Sequence, residues 1–262
     1  GRNGHRGAPP CGRATVLVSL DLVGVDCGTS GRLKSALLAT AEAVAHGVTS
    51  SESILLCCTH THTGPQTHAR FVGMGHCGEE YLAALCGAVV AAFRGAVANL
   101  EPVKDVVHAR SRTIEGVAVN RRQRVERGAE GAHARARWFE VAGKTTLGQR
   151  PDGPRVPAAD VVHIRRAPDD IIVATLVAFA CHPTCIGPGL EQSADYCGVV
   201  RDAVADAVGD TTTVFYLNGA CGDVNPVLHR GGFAAAAATG KAIAEAALEA
   251  GLASTGPTFH HD

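Results

Sequence analysis

Residues 160–184 read DVVHIRRAPDDIIVATLVAFACHPT: two runs rich in β-branched residues, joined by APDD. Turn formers between two such runs predict a hairpin. The second run, Ile171 to Ala180, is apolar almost throughout and reads as a strand. It ends in His182, at the carboxyl end of the predicted strand. In open α/β sheets that edge is where loops converge over a crevice and ligands bind.

Outward from this hairpin, strands and helices alternate. ATVLVSLDLVG (14–24) predicts a buried strand, and Leu33, Leu37, Ala41 and Val44 then recur at helical spacing until Gly47. SILLCC (53–58) predicts a second strand, residues 79–100 a helix, and PVKDVVHARSRT (102–113) a further strand. After the hairpin come a helix over 196–208, a strand TTTVFYLN (211–218) and an alanine-rich helix over 233–250. Lys241, Glu245 and Glu249, at i, i+4 spacing, line the wet face of that last helix. Residues 117–157 are rich in Arg, Gly and Pro and predict an irregular excursion with one short element around Trp138. The order argues for a single α/β domain over 1–262, three-layered, with a mixed β-sheet flanked by helices.

At 262 residues and 46% hydrophobic, the chain can build its own core. Twenty-four Lys and Arg against 25 Asp and Glu, a net charge of −1, create no field that would recruit nucleic acid or an anionic membrane. A small-molecule partner is expected instead. No apolar run reads as a transmembrane segment, and the basic GRNGHRGAPPCGR start has no apolar stretch behind it to make a signal peptide, which leaves the compartment open. The ten cysteines are scattered, and adjacent Cys57 and Cys58 would point to opposite faces of a strand. Reduced, small hydrophobic residues are the expectation for most of them.

Polar clusters follow four predicted strands: Asp21, the pair His60 and His62, His182, and the turn after Asn218. If CCTHTHT stays extended, His60 and His62 share a face with Cα atoms about 6.5–7 Å apart, close enough to serve one metal, or one metal and one substrate. A surface pair would read the same way. Gly64 is available for a positive φ in the turn that follows. A histidine at a strand end such as His182 can reach a shared zinc site or bond backbone. In SADYCG, one of Ser193 and Asp195 caps the next helix and the other is free to face the crevice. Small residues in LNGACGDVNP, with Gly222 among them, let backbone approach a ligand, and exposed N–H groups there can stabilise an oxyanion. VAVNRRQR supplies Asn120 with Arg121, Arg122 and Arg124, either a solvated loop or an arginine aimed at a carbonyl or carboxylate.

Taken together, ATVLVSLDLVG, THTHTGP, NRR, ACHPT, SADYCG and LNGACGDVNP, in this order, resemble the neutral/alkaline non-lysosomal ceramidase family, especially its shorter bacterial relatives. The resemblance runs from about Thr15 to the last helix. It implies a zinc-dependent amide hydrolase acting on an N-acyl amide such as N-acylsphingosine, with His60 and His182 as zinc ligands. His62 and Arg121 would lie beside the reacting carbonyl, with Asn120, Gly222 and Asp223 at the substrate. Zinc would polarise the amide and lower the pKa of bound water. Family members are often secreted or held at the membrane surface. Two features depart from the family. Its Gly-Asp-Val-Ser-Pro turn here carries Asn225 in place of the serine, and asparagine has no hydroxyl to acylate. Its glutamate and tyrosine ligands come from beyond the last helix, where LASTGPTFHHD offers neither. The chain therefore reads as a fragment of the catalytic domain, incomplete at the C-terminus, or as one whose ligands differ; Asp21, Asp195 and Asp223 are the candidate carboxylates. A non-catalytic, degenerate domain and a metal-dependent hydrolase of a non-lipid amide or ester are the alternatives.

Overall fold

The computed structural model describes residues 14–68, 77–124, 145–167, 169–187, 189–209, 211–252 and 258–259. The chain divides into two compact units. One comprises residues up to 20 together with 24–58 and 65–101; the other comprises 21–23, 59–64 and everything from 102 onward.

In the first unit, β1 (Val16–Leu20) pairs in parallel with β2 (Ile54–Cys58), with α1 (Cys27–Leu38) and α2 (Ala41–Ala45) between them in sequence. The single helical run expected to Gly47 is broken in two. The Thr40 hydroxyl donates to the carbonyl of Leu37 and accepts the amide of Ala43, so it closes one helix and caps the next. The 20-residue α3 (Glu79–Ala98) packs on α1 through Leu82, Val89 and Phe93. Its other faces are largely alanine and glycine. With a mean hydropathy of 1.8 it is long and apolar enough to cross a membrane by length and composition, contrary to the expectation that no run would be. An open groove of about 490 Å³ beside Ile54, Leu56 and Lys34 lies in this unit and contains no histidine.

The second unit holds a mixed five-stranded sheet in the order β10-β3-β6-β7-β8. Its strands are β3 (Val103–Arg110), β6 (Asp160–Arg166), β7 (Ile172–Phe179), β8 (Thr213–Asn218) and β10 (Thr258–Phe259). The expected hairpin is β6 against β7, antiparallel; β7 and β8 run parallel, and α4 (Tyr196–Val208) makes the crossover between them. Along β7 burial alternates, with Thr175, Val177 and Phe179 turned inward. Val177 and Phe179, with Val161, meet Tyr196 and Val200 of α4 and Ile243 of α5 (Gly232–Leu252) in one core. Full burial stabilises each large apolar side chain by roughly 1.5–3 kcal/mol. Helices α4 and α5 cross closely because α5 is small there: a Cβ on Gly240 would stand 2.5 Å from that of Val199. Directly opposed across β3 and β6, buried Asp105 accepts two 2.6 Å bonds from Arg165. The α/β class, with a mixed sheet flanked by helices, is as the sequence implied.

Part of the segment expected to be irregular is a second sheet. β4 (Ala118–Arg124) pairs antiparallel with β5 (Thr145–Arg150) and with β9 (Val224–Pro226). The element expected near Trp138 falls outside the described residues. This small sheet has a functional consequence, because it lays Arg121 beside the turn after β8.

Candidate active site

Three strand ends set the site, and all of its side chains belong to the second unit. β2 ends at Cys58, β7 at Phe179 and β8 at Asn218. The chain beyond β2 does not stay extended: His60 takes φ +68°, a left-handed conformation that L residues rarely adopt. That turn, rather than the pleat of a strand, aims the pair of histidines. The backbone amides of His60 and His62 donate to the carbonyls of Leu22 and Pro183, and the hydroxyls of Thr61 and Thr63 both donate to the carbonyl of Ser193. Gly64 serves by absence of a side chain, not by a positive φ, since a Cβ would lie 2.7 Å from the carbonyl oxygen of Asp21.

Three imidazoles converge. Ring centroids of His60 lie 5.0 Å from His62 and 4.7 Å from His182, and His62 and His182 are 5.6 Å apart. The His60 Nδ1 bonds the carbonyl of Val23 at 2.5 Å, and the His182 Nδ1 that of Cys221 at 2.6 Å. A carbonyl only accepts, so a proton sits on Nδ1 in both rings and Nε2 points outward. The two Nε2 atoms are 3.2 Å apart. Burial, then the Arg121 charge and the neighbouring histidines, push the His182 pKa down to about 4. His62 is pushed down to about 4 as well, by lost hydration first and then by His60, Arg121 and His229. Both rings are neutral at physiological pH, the form in which imidazole binds metal or accepts a proton.

The Cys221 sulfur completes the group: it lies with the ligand nitrogens of His60 and His182 inside 4.8 Å of one another. Among the described residues this is the cluster able to hold a metal ion. Burial pushes the free Cys221 thiol up. Cys221 and His229 were not singled out from the sequence. Cys221 was read only as a small turn residue, and its Asn-x-x-Cys turn setting was the available signal.

Arg121 forms the wall opposite. Its guanidinium donates to the carbonyl of Gly222 at 2.9 and 3.1 Å, to Oδ1 of Asn225 at 3.1 Å and to Nε2 of His182 at 3.1 Å. So the turn meets Arg121 with a carbonyl, where exposed N–H groups were expected. Asn120 is buried and fully engaged: its amide donates to Pro154 and Asp223, and its Oδ1 accepts the backbone amide of Arg122. Asn120 and Asp223 thus brace the turn and stand outside the histidine and cysteine cluster.

The other two candidate carboxylates are not brought to the histidines either. Asp21 accepts two bonds, at 2.8 and 2.7 Å, from Arg201. Asp195, at φ +55°, caps α4 and accepts the amides of Tyr196, Ile186 and Cys185. Ser193 in turn accepts the Asp195 amide. Each carboxylate is held by these donors, and neither belongs to the histidine and cysteine cluster.

The fold and the site define an α/β domain with a histidine and cysteine cluster at the carboxyl edge of its strands. Among solved structures the chain is similar to neutral ceramidase from Pseudomonas aeruginosa, at a TM-score of 0.73 and 18% identity, over 96% of this chain and 38% of that one. A ceramidase complexed with C2 is similar at a TM-score of 0.72 and 17% identity, over 95% and 37%. The chain thus has the neutral ceramidase fold and spans little more than a third of the length of those structures. No protein-family model and no curated protein matches it.

Proposed function

We propose that the chain is the metal-binding part of a ceramidase-like hydrolase that cleaves an N-acyl amide, N-acylsphingosine or a related lipid amide, with zinc as cofactor. The observation that carries this reading is the pair of Nε2 atoms 3.2 Å apart, each with its Nδ1 proton bonded to a carbonyl. Both rings, so held, bring Nε2 to one point, where a cation could be shared between them. Ligand nitrogens on one tetrahedral zinc stand roughly 3.3 Å apart. The donor set therefore fits the metal, and His60 and His182 would hold it.

A divalent metal there supplies Lewis acidity toward the amide carbonyl and activates water. The rest falls to side chains of this chain. Arg121, half-buried and anchored by Gly222 and Asn225, can donate to the oxygen on which negative charge develops. His62, neutral and beside the cluster, can accept the proton of the attacking water and return it to the leaving amine. Asn225 holds Arg121 through Oδ1 and offers its amide N–H groups to substrate.

One observation favours a second reading, a degenerate domain without metal: the Nη2 of Arg121 already donates to Nε2 of His182. Hydrolysis of N-acylsphingosine, of short water-soluble amides and of esters by the parent, His60→Ala and His182→Ala tests the two. The proposal expects the parent to cleave the lipid amide best and both variants to lose that activity. Equal rates in all three proteins would refute it.

A further inference from the structure

We infer that Cys221 is the third protein ligand, so that the chain carries a complete two-histidine, one-cysteine metal site of its own. The inference rests on the reading that His60 and His182 bind a metal. Three observations on the thiol carry it. Its sulfur shares a 4.8 Å cluster with the two ligand nitrogens. The carbonyl of the same residue accepts the His182 Nδ1 proton at 2.6 Å, so the backbone that orients one ligand ring also places the sulfur. The amide nitrogen of Asn218 donates to the sulfur at 3.4 Å while also donating to the carbonyl of Thr59 at 3.1 Å. An N–H aimed at sulfur stabilises a thiolate ligand, and its second bond ties the end of β8 to the residue just before His60.

The count of ligands matters. Two histidines are one short of the three protein ligands usual in catalytic zinc sites, and a third from the same chain leaves one position open for water or substrate. Neither Asp21 nor Asp195 can supply it without giving up Arg201 or the α4 cap. Arg121 need not leave for the metal to enter: without its contact to His182 it keeps its bonds to Gly222 and Asn225. A thiolate ligand also sets the choice of metal, favouring zinc and cobalt over magnesium and calcium. On coordination the thiol proton is released to solvent.

Cobalt(II) titration of the metal-free chain reads the ligand directly. The expected result is visible d–d absorption together with a near-ultraviolet thiolate-to-cobalt charge-transfer band. In Cys221→Ser that band disappears, the visible absorption persists, and cobalt binds at least about tenfold more weakly. Peptide-mapped alkylation of the parent avoids any folding defect of the variant: bound zinc should slow labelling of Cys221 about tenfold or more, because the coordinated sulfur is shielded. Visible bands without charge transfer, or labelling of Cys221 indifferent to zinc, would overturn the inference and leave the two-histidine metal reading standing. No cobalt uptake at all would overturn both.

Discussion

Two buried histidines of the second unit, His182 and His163, contrast sharply. Each is almost fully enclosed and each has its pKa lowered, chiefly by burial. His163 sits mid-strand on β6, its Nδ1 bonded to the hydroxyl of the opposed Thr175 at 2.9 Å. Its Nε2 has no protein partner, and the helix packs onto it: a Cβ on Gly251 would lie 2.2 Å from that atom. His182 instead stands past the end of β7, its Nδ1 proton committed to a carbonyl and its Nε2 meeting a second histidine and a guanidinium, with a cysteine in the same cluster. A depressed pKa therefore marks burial in both, and only convergence of ligand atoms marks chemistry.

The largest effect should separate these two histidines. His182→Ala is expected to lower amide hydrolysis by about a thousandfold or more while keeping the fold by circular dichroism, because a metal ligand is lost. His163→Gln should leave the rate within severalfold. Equal losses in both would erase the distinction. Next in size, Arg121→Ala should lower kcat by roughly a hundredfold, as removal of an oxyanion donor does, with metal content unchanged. A rise in KM alone would make Arg121 a binding group instead.

Gly251→Ala sharpens the other side. Overpacking against His163 should cost about 1–3 kcal/mol in denaturant unfolding, with no change in metal affinity. The smallest effect is on pH dependence. With its folded pKa below the unfolded value of about 6.5, His163 takes up fewer protons in the folded state, so its contribution to stability is present above about pH 6.5 and lost as pH falls below it. His163→Gln should flatten the acid limb of the stability profile by up to about one proton per molecule. An unchanged slope would show that the ring is not held neutral by burial.

Much of the fold could be read ahead of the structure because local signals agreed with the packing. α4 begins after an aspartate in SADYCG and the β6–β7 hairpin is bounded by turn formers, so propensity and tertiary structure point the same way. The break at Thr40 was missed because the apolar spacing of Leu33, Leu37, Ala41 and Val44 runs through it, while the hydroxyl that interrupts the helix acts on backbone. β9 is three residues long and is held by pairing with a strand more than 90 positions away, beyond any local pattern. At the site, the structure brings together His60, His62, His182 and Arg121, all visible as motifs in the sequence, and the histidine pair meets through a left-handed turn. The engagement of Asp21 with Arg201 is not legible in the sequence, because the two are 180 residues apart. Cys221 was overlooked because its role depends on Asn218 and His182 meeting there, which no spacing within the turn reveals.

Metal content tests the central claim most directly. After dialysis against trace zinc, the parent chain should retain about one equivalent by elemental analysis, and the folded His60→Ala/His182→Ala double variant less than about a tenth. A parent with less than about a tenth of an equivalent, or a double variant that holds as much zinc as the parent, would contradict the assignment of this cluster as a metal centre.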